Sequence, residues 1–410
     1  MIDISVIIPV YNVEEYLEDC LKSVLNQTFD SYEVICVNDC TEDNSVMIVE
    51  QYMRTNKKLR IVHHKSNMGL SESRNTGLRQ AIGKYVLFVD SDDMIEENTL
   101  EELFRTAEES QLDEIIFDLR KIYQSGIERE RQAENKVNVE HSGIYSGRDM
   151  FCTLMEENNL KVEVWRRFLR KDFLIENNIW FYKGILHEDN LFSFLCDMKA
   201  QKVKEINKDY YIYRQRENSI MRTKTIKRTQ SLFIILHEIY KYWCTHDFSE
   251  REHSVISQYL QQLYGIYCYH RDNASDSETD IEFTMGDFQV RSLYAMLTKP
   301  TLQYVSLTKD KIAKIKCSKY IILFGAGYAA REILMILGKE GIGVNTIAVS
   351  TPKNNVSMFY GYAVEDIKNL VIHKEYATVI IGATTKYAQE MEQYLLQLGF
   401  KDIIKADALV

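Results

Sequence analysis

Three aspartates crowd together directly after an apolar stretch in the first quarter of the chain. Residues 84–89 have the composition of a buried strand, and Asp90, Asp92 and Asp93 follow within four residues. Like charges this close disfavour one another's ionisation unless a cation or hydrogen-bond donors compensate. In an extended segment, Asp90 and Asp92 would point the same way because they are two residues apart. Such a pair suits Mg²⁺ or Mn²⁺ together with a substrate diphosphate, and Asp93 could serve as a local turn or cap.

A second acidic group, Glu188-Asp189, stands at the predicted start of a helix over residues 191–196. A carboxylate there could take a proton from a substrate hydroxyl, and both acids could also cap the helix. From the residues alone, Glu188 and Asp189 are equal candidates for a general base. His187 precedes them, and a lone histidine is more often structural than a ligand.

These groups need a scaffold, and the first 115 residues alternate between strand-like and helix-like patterns. Strands are predicted at residues 4–9, 33–37, 59–63 and 84–89, and helices at residues 13–27, 46–52, 71–82 and 98–109. The last helix opens with a capping-box sequence at Asn98. This alternation predicts a mostly parallel sheet covered on both faces, with ligands bound beyond the carboxyl ends of its strands.

Four loops follow the predicted strands at that edge. Residues 9–12 could lay an aromatic ring and a turn against a flat ligand, and Asp39 could accept a hydrogen bond from a ring N–H. Residues 67–75 form a glycine turn leading to Arg74, and residues 90–93 supply the carboxylates. Together they offer a slot for a base, a cation site and groups that could bind a ribose or sugar. Taken singly, Asp39 could be a turn residue and Arg74 a surface charge.

In this order and at this spacing, the loops resemble the family 2 glycosyltransferases, inverting enzymes of the GT-A fold. The matching stretches are VIIPVYNVEEYLEDCLKSVLNQTF, EVICVNDCTEDNS, NMGLSESRNTGL and GKYVLFVDSDDMI. The resemblance is close over the first 115 residues and looser to about residue 222. Asn38 departs from the family pattern, which more often has a second aspartate at this position.

The resemblance implies which residues contact a nucleotide-sugar donor. They are, in chain order, Pro9, Tyr11, Asp39, Arg74 and Asp90. Pro9, Tyr11 and Asp39 would hold the nucleotide base, which is usually uracil in this family. Arg74 would lie near the donor, and Asp90 would contact the nucleotide.

The resemblance also implies the metal ligand and the base. Asp92 would bind the Mn²⁺ or Mg²⁺ that bridges the diphosphate, and Asp189 would be the general base, because the family places its base in a Glu-Asp pair of this form. Further along, Trp165 could belong to an aromatic surface that stacks on an acceptor sugar. Arg214 or Arg216 could reach the diphosphate, although either could equally be solvated.

Three domains are predicted. Residues 1–225 would form the GT-A glycosyltransferase domain, residues 226–318 a helical linker or accessory segment, and residues 319–410 a small Rossmann-like α/β domain. Residues 320–330 have strand–glycine turn–helix form with GxGxxA spacing, a dinucleotide-type fingerprint. The next predicted strand, residues 346–349, is followed by no acid that could bind a ribose, which argues against NAD-dependent catalysis. Ligand binding, oligomerisation and a purely structural role stay open for this domain.

Composition limits the partners. The net charge of −10 argues against nucleic acid, which needs a basic face, and no apolar stretch is long enough to span a membrane. The N-terminus does not have the form of a signal peptide, and the 8 scattered cysteines favour free thiols in a reducing cytoplasm. The lysine-rich residues 309–319 could touch anionic lipid at the inner face of the cell membrane or form a solvated helix face.

With the resemblance, the sequence predicts an inverting, metal-assisted glycosyltransferase. It would move a sugar from a nucleotide-diphosphate donor, UDP-linked by preference, to a hydroxyl of a glycan, glycolipid or glycoprotein. Two alternatives remain from other classes. A phosphohydrolase with an aspartyl nucleophile also places Asp-x-Asp after a buried strand, and a non-catalytic nucleotide-sugar-binding protein would keep the loops without turnover.

Overall fold

The structure is a computed structural model of the chain. It describes residues 2–123, 141–215, 226–272, 293, 305–351, 357–383 and 385–408. The chain divides into two compact units, here called the N-terminal unit, formed mainly by Met1–Ile235, and the C-terminal unit, formed mainly by the chain from Leu236 onward. The predicted domain boundaries at residues 225 and 318 stay predictions.

The first part of the N-terminal unit alternates strands with helices. The elements are β1 (Ile4–Val10), α1 (Leu17–Leu25), β2 (Tyr32–Asn38), α2 (Ser45–Met53), β3 (Leu59–His63), α3 (Leu70–Gln80) and β4 (Tyr85–Phe88). The predicted alternation is therefore confirmed, although some ends differ. Helix α1 begins at Leu17 and not at residue 13, and α3 ends at Gln80, ahead of Gly83.

The second part of this unit is less regular. It contains β5 (Met94–Ile95), α4 (Thr99–Ser110), β6 (Glu114–Tyr123), α5 (Gly147–Glu156), β7 (Arg167–Arg170), α6 (Lys171–Glu176), α7 (Glu188–Lys199) and β8 (Val203–Gln215). Asn98 does precede α4, but its side chain makes no capping hydrogen bond and instead donates to Glu102. The predicted capping box is therefore wrong.

Within the described residues, eight strands form one sheet in the order β3-β2-β1-β4-β7-β6-β8-β5. The first four run parallel, with β1 between β2 and β4, whereas β7 lies antiparallel to β4. Because parallel strands end at one edge, the loops that follow β1, β2, β3 and β4 lie side by side.

Buried apolar side chains cover both faces of this sheet. Alternate residues of β1 point to opposite faces: Ile8 belongs to one apolar cluster with Leu17 of α1, and Ile7 belongs to the other with Leu78 of α3. Helix α3 lies close against β1, because a Cβ added to Gly77 would stand 2.3 Å from Ile7 Cγ2. This close packing fixes the position of the helix that carries Arg74.

The C-terminal unit has its own parallel sheet. Its main elements are β10 (Tyr320–Phe324), α11 (Tyr328–Lys339), β11 (Thr346–Val349), β12 (Met358–Phe359), β13 (Tyr362–Asp366), β14 (Ala377–Ile381), α12 (Thr385–Gln397) and β15 (Asp402–Lys405). The strand order is β12-β13-β11-β10-β14-β15, with only β12 antiparallel to its neighbour. This order is that of a doubly wound Rossmann-like sheet, as predicted.

The described chain also contains three further α-helices and a small ladder. They are α8 (Ile226–Thr245), α9 (Glu250–Asp272), α10 (Lys309–Lys316) and the paired strands β9 (Val305–Ser306) and β16 (Asp407–Ala408). The helical character predicted for residues 226–318 is confirmed where α8 and α9 lie. Among the described helices, none combines the length and apolarity needed to cross a bilayer.

Candidate active site

Backbone hydrogen bonds join the strand ends at the edge where the four loops meet. Asp39 N donates to Val10 O over 3.1 Å, and His64 N donates to Asn38 O over 2.9 Å. The ends of β1, β2 and β3 are therefore held together in one row. Asp39, directly after the middle strand of this row, is the first candidate that the row positions.

Asp39 anchors the glycine turn that follows β3. Its Oδ1 accepts hydrogen bonds from Met68 N at 2.7 Å and from His64 Nδ1 at 2.7 Å, and its Oδ2 accepts one from Gly69 N at 2.8 Å. Asp39 is only 3% exposed. Three donors satisfy most of the acceptor capacity of this carboxylate, so Asp39 organises the loop.

Pro9 and Tyr11 lie on the neighbouring loop but differ in exposure. Pro9 is buried inside β1, where it pairs with Val37, and does not end the strand. Tyr11 is 46% exposed, so its ring is accessible to a flat ligand. Asn12 holds the turn in the left-handed region (φ 52°), and its backbone N donates to Thr41 Oγ1 over 2.8 Å.

The aspartate cluster forms a turn. Asp93 N donates to Asp90 O over 3.0 Å, and Ser91 and Asp92 occupy the turn between them. The prediction that Asp90 and Asp92 lie in an extended segment is therefore wrong. In this turn Asp93 is buried, whereas Asp92 is half-buried at the strand end.

Asp93 fastens this turn to β8. Its Oδ2 accepts from Tyr211 Oη at 2.9 Å and its Oδ1 from Arg214 N at 2.7 Å. Burial, reinforced by the charges of Asp92 and Asp90, raises the pKa of Asp93 to about 9. Tyr211 Oη also accepts from Asp90 N at 3.1 Å. Tyr211 is thus a supporting residue that the sequence analysis missed, since nothing local marks it.

Arg74 connects the two halves of the site. This guanidinium is 1% exposed and donates from Nη2 to Asp90 Oδ1 at 2.8 Å. Its Nη1 donates to Glu188 Oε1 at 2.5 Å and to Asp189 Oδ1 at 3.0 Å. Burial disfavours the charged guanidinium, but the three carboxylates outweigh it and raise the pKa of Arg74. Arg74 is therefore not the surface charge that the sequence left open.

Glu188 and Asp189 begin helix α7, as the sequence predicted for a helix start near this pair. Burial raises the pKa of Asp189 to about 8; Arg74 opposes this shift, and the charges of Glu188, Asp90 and Glu163 add to it. Burial likewise raises the pKa of Glu188. A general base with a pKa near neutrality is well matched to its task, and Asp189 meets this condition.

The residues that the sequence analysis placed near the acceptor sugar and the diphosphate are less open. Trp165 is 6% exposed and stacks on Tyr211 and Tyr213, with ring centroids 4.3 and 5.6 Å apart. Its ring therefore packs inside the unit. Arg214 donates from Nε to Asp92 O at 3.2 Å and from Nη2 to Asp19 Oδ2 at 2.8 Å, so it braces the aspartate turn. Arg216 lies outside the described residues.

A divalent cation fits Asp92 only in company with a substrate. Within the described part of the chain, no three Asp, Glu, His or Cys side chains gather closely enough to hold a metal by themselves. Mg²⁺ is commonly held by one or two carboxylates together with substrate phosphates. The half-buried carboxylate of Asp92, in the turn that starts at Asp90, provides such a partial set of hard oxygen ligands.

The chain is similar in sequence to known glycosyltransferases. Residues 5–176 match the model of Glycosyl transferase family 2. The chain is 34% identical over 220 residues to the uncharacterized glycosyltransferase EpsJ of Bacillus subtilis (strain 168), covering 53% of this chain and 62% of that protein. It is 29% identical over 241 residues to the glycosyltransferase GlyG of Streptococcus pneumoniae serotype 4, covering 54% of this chain and 73% of that protein.

A solved structure shows a similar fold. The crystal structure of S. aureus TarS 1-349 in complex with UDP-GlcNAc aligns with a TM-score of 0.53 and 22% identity. The alignment covers 72% of this chain and 82% of that one. The predicted GT-A fold is thereby confirmed.

Proposed function

We propose that this chain, whose residues 5–176 match the model of Glycosyl transferase family 2, is an inverting, metal-assisted enzyme that transfers a sugar from a UDP-linked donor. The acceptor would be a hydroxyl of a glycan, glycolipid or glycoprotein. The family match favours sugar transfer over the phosphohydrolase alternative. The donor class is supported by the likeness to a structure that holds UDP-GlcNAc.

One observation carries the proposal: the buried Arg74 ties Asp90, on the donor side, to Glu188 and Asp189. A displacement reaction needs the leaving group and the base held at a fixed separation. A single guanidinium that bonds to both sides supplies such a link. Tyr11 and Asp39 would bind the base of the nucleotide, and Asp90 would contact the rest of the nucleotide.

In the proposed reaction, Asp189 takes the proton of the acceptor hydroxyl while the acceptor oxygen attacks the anomeric carbon. The bond from that carbon to the diphosphate breaks, and its electron pair leaves with UDP. A single displacement with one base inverts the configuration. Asp92 would hold Mn²⁺ or Mg²⁺ on the diphosphate, and the ion would supply charge neutralisation for the leaving group.

The test compares two isosteric variants of the acidic pair. Asp189→Asn should lower transfer by about 10²- to 10⁴-fold, the usual contribution of a general base, and should keep UDP binding in calorimetry. Glu188→Gln, the matched variant, should lower transfer much less. Wild-type transfer by Asp189→Asn would remove Asp189 as the base, and loss only in Glu188→Gln would move that role to Glu188.

The metal assignment has its own measurement. Asp92→Ala should lose the part of UDP affinity that depends on Mn²⁺, because the carboxylate that would hold the ion is gone. UDP binding that keeps the same Mn²⁺ dependence would overturn the assignment. A chain that binds UDP but transfers no sugar from any donor would instead be a nucleotide-sugar-binding protein.

A further inference from the structure

His64 has a buried side chain that the proposed mechanism does not use. Its side chain is 5% exposed and lies between two polar partners. Nδ1 stands 2.7 Å from Asp39 Oδ1, and Nε2 stands 2.9 Å from Thr76 Oγ1. Because an ionised carboxylate only accepts, Nδ1 carries the hydrogen. Strand β3 and helix α3 therefore hold the imidazole in one orientation against Asp39.

This contact changes what Asp39 can still bind. An ionised carboxylate has about four acceptor positions, two on each oxygen. His64 Nδ1 and Met68 N occupy both positions of Oδ1, and Gly69 N occupies one of Oδ2. One position is left, on Oδ2, so Asp39 can accept one further hydrogen bond and not a pair of them.

The nucleobases differ in the donors they present to such a group. Uracil offers a single ring N–H between two carbonyls, which matches one open acceptor position. Guanine offers a ring N–H and an adjacent amino group, which pair with both oxygens of a carboxylate. The ring nitrogen of cytosine at this place has no hydrogen. A donor left without its acceptor in a buried site lowers affinity substantially.

We propose that His64 is the positioning residue that makes this site selective for uracil, by occupying Asp39 Oδ1 and leaving one acceptor position on Oδ2. The inference rests on the proposed function, since it takes Asp39 as the contact of the nucleotide base. His64 itself touches no substrate. It acts through Asp39, and Thr76 fixes its ring.

The experiment measures the dissociation constants of UDP and GDP, each with Mn²⁺, for the full chain and its variants. The wild-type protein should bind UDP at least about tenfold more tightly than GDP, as expected for one unsatisfied buried donor. His64→Phe keeps a ring of similar shape but frees Oδ1. This variant should weaken the binding of UDP about tenfold and reduce the UDP-to-GDP preference by at least about fivefold.

Two further variants separate positioning from folding. His64→Asn can place an amide N–H where Nδ1 stands, so it should keep the preference within about twofold of wild type. Thr76→Val removes the hydroxyl beside Nε2 and should reduce the preference about threefold, which carries the test if His64→Phe does not fold. His63→Ala is the matched control: His63 Nδ1 faces Asn38 Nδ2 at 3.1 Å and not Asp39.

The outcomes distinguish this inference from the proposed function. A wild-type protein that binds neither UDP nor a UDP-sugar would overturn the function itself. A wild-type protein that prefers UDP, with the same preference in folded His64→Phe or in Thr76→Val, would overturn the role of His64 alone. Support would come from a reduced UDP-to-GDP preference in His64→Phe, together with a preference close to wild type in His64→Asn and in His63→Ala.

Discussion

The two units place the same topological feature at their sheet edges and fill it differently. In each sheet the first strand lies between two later strands of the same unit. Strand β1 lies between β2 and β4, and β10 lies between β11 and β14. At the edge of the N-terminal unit, Arg74 and its three carboxylates are gathered. At the edge of the C-terminal unit, Gly325 and Gly382 approach one another closely.

This difference teaches that topology provides a place for ligands and side chains decide its chemistry. The buried charges of the N-terminal edge have a large desolvation cost, which is balanced only by mutual pairing. The glycines of the C-terminal edge allow close backbone approach, because a Cβ on Gly325 would lie 2.7 Å from Gly382 O. The first edge gathers charged side chains, whereas the second brings two backbone segments close together.

The largest expected effect comes from removing the cation at the N-terminal edge. Arg74→Ala leaves Asp90, Glu188 and Asp189 without the guanidinium that all three contact. Breaking a buried ion pair from one side costs about 3–5 kcal/mol. Urea unfolding should show a loss of that size, together with loss of sugar transfer.

Arg79 offers the matched control for that variant. It lies on the same helix, pairs with Glu72, and has a side chain that is 47% exposed. Arg79→Ala should therefore cost less than about 1 kcal/mol. Equal midpoints for the two variants would mean that the Arg74 cluster is not the charged centre that separates the two edges.

The second largest expected effect is the change of sugar transfer with pH. The pKa of Asp189 is about 8, and a base must be deprotonated, so transfer should rise about tenfold per unit below pH 8 and level off above it. Profiles of kcat/KM for the donor measure this, because they report the ionisation of the free enzyme. A flat profile from pH 6 to 8 would contradict the role of Asp189 as the titrating base.

The stability of the folded chain should fall as pH rises, whereas sugar transfer should increase. The folded-state pKa values of Asp189 and Asp93, about 8 and 9, lie above the value of 3.8 expected when unfolded. Between these limits the folded chain binds more protons than the unfolded chain, so the free energy of unfolding falls as pH rises. Thermal unfolding without metal should show this decrease, and Asp93→Asn should reduce its slope. An unchanged slope in Asp93→Asn would contradict it.

The sequence predicted the place of the site better than its internal contacts. Periodicity located the strand ends, because alternating apolar positions are a local property, and the family resemblance selected Asp39, Arg74 and Asp189 for donor and base roles. The bonds of Arg74 to Glu188 and Asp189 join residues more than a hundred positions apart. No local sequence pattern encodes a contact between residues so far apart in the chain, so these bonds are seen only in the folded structure.

The aspartate turn shows why the remaining details could not be predicted. A two-residue spacing implies a shared direction only in an extended strand, but Tyr211 and the backbone of Arg214 draw Asp93 inward and bend the segment. Tertiary contacts thus override the local pattern. His64 was missed for a similar reason, since its importance depends on the orientation of Asp39.

A smaller effect is expected at the glycine edge of the C-terminal unit. A Cβ on Gly382 would stand 2.7 Å from Ala330 Cβ and 2.9 Å from its Cα. Overpacking of this kind costs about 1–3 kcal/mol, so Gly382→Ala should lower the unfolding temperature. Gly327→Ala is the control, because nothing lies within 4 Å of its added Cβ. Equal unfolding temperatures would show that close packing does not define this edge.

The smallest effect is expected at the lysine-rich helix α10. Lys311, Lys314 and Lys316 form ion pairs with acids of the same unit: the partners are Asp407, Asp402 and Glu340. Exposed pairs of this kind contribute roughly 0–1 kcal/mol each, so their replacement by glutamine should barely change unfolding.

The same triple glutamine variant tests membrane contact. Lysines whose charge is already paired have little attraction left for anionic lipid. Sedimentation with vesicles that contain phosphatidylserine should therefore be as low for the wild type as with neutral vesicles, and equal in the variant. Wild-type binding that depends on the anionic lipid, and that the variant loses, would instead assign α10 to a membrane surface. The C-terminal unit would then carry an electrostatic function of its own, away from its glycine edge.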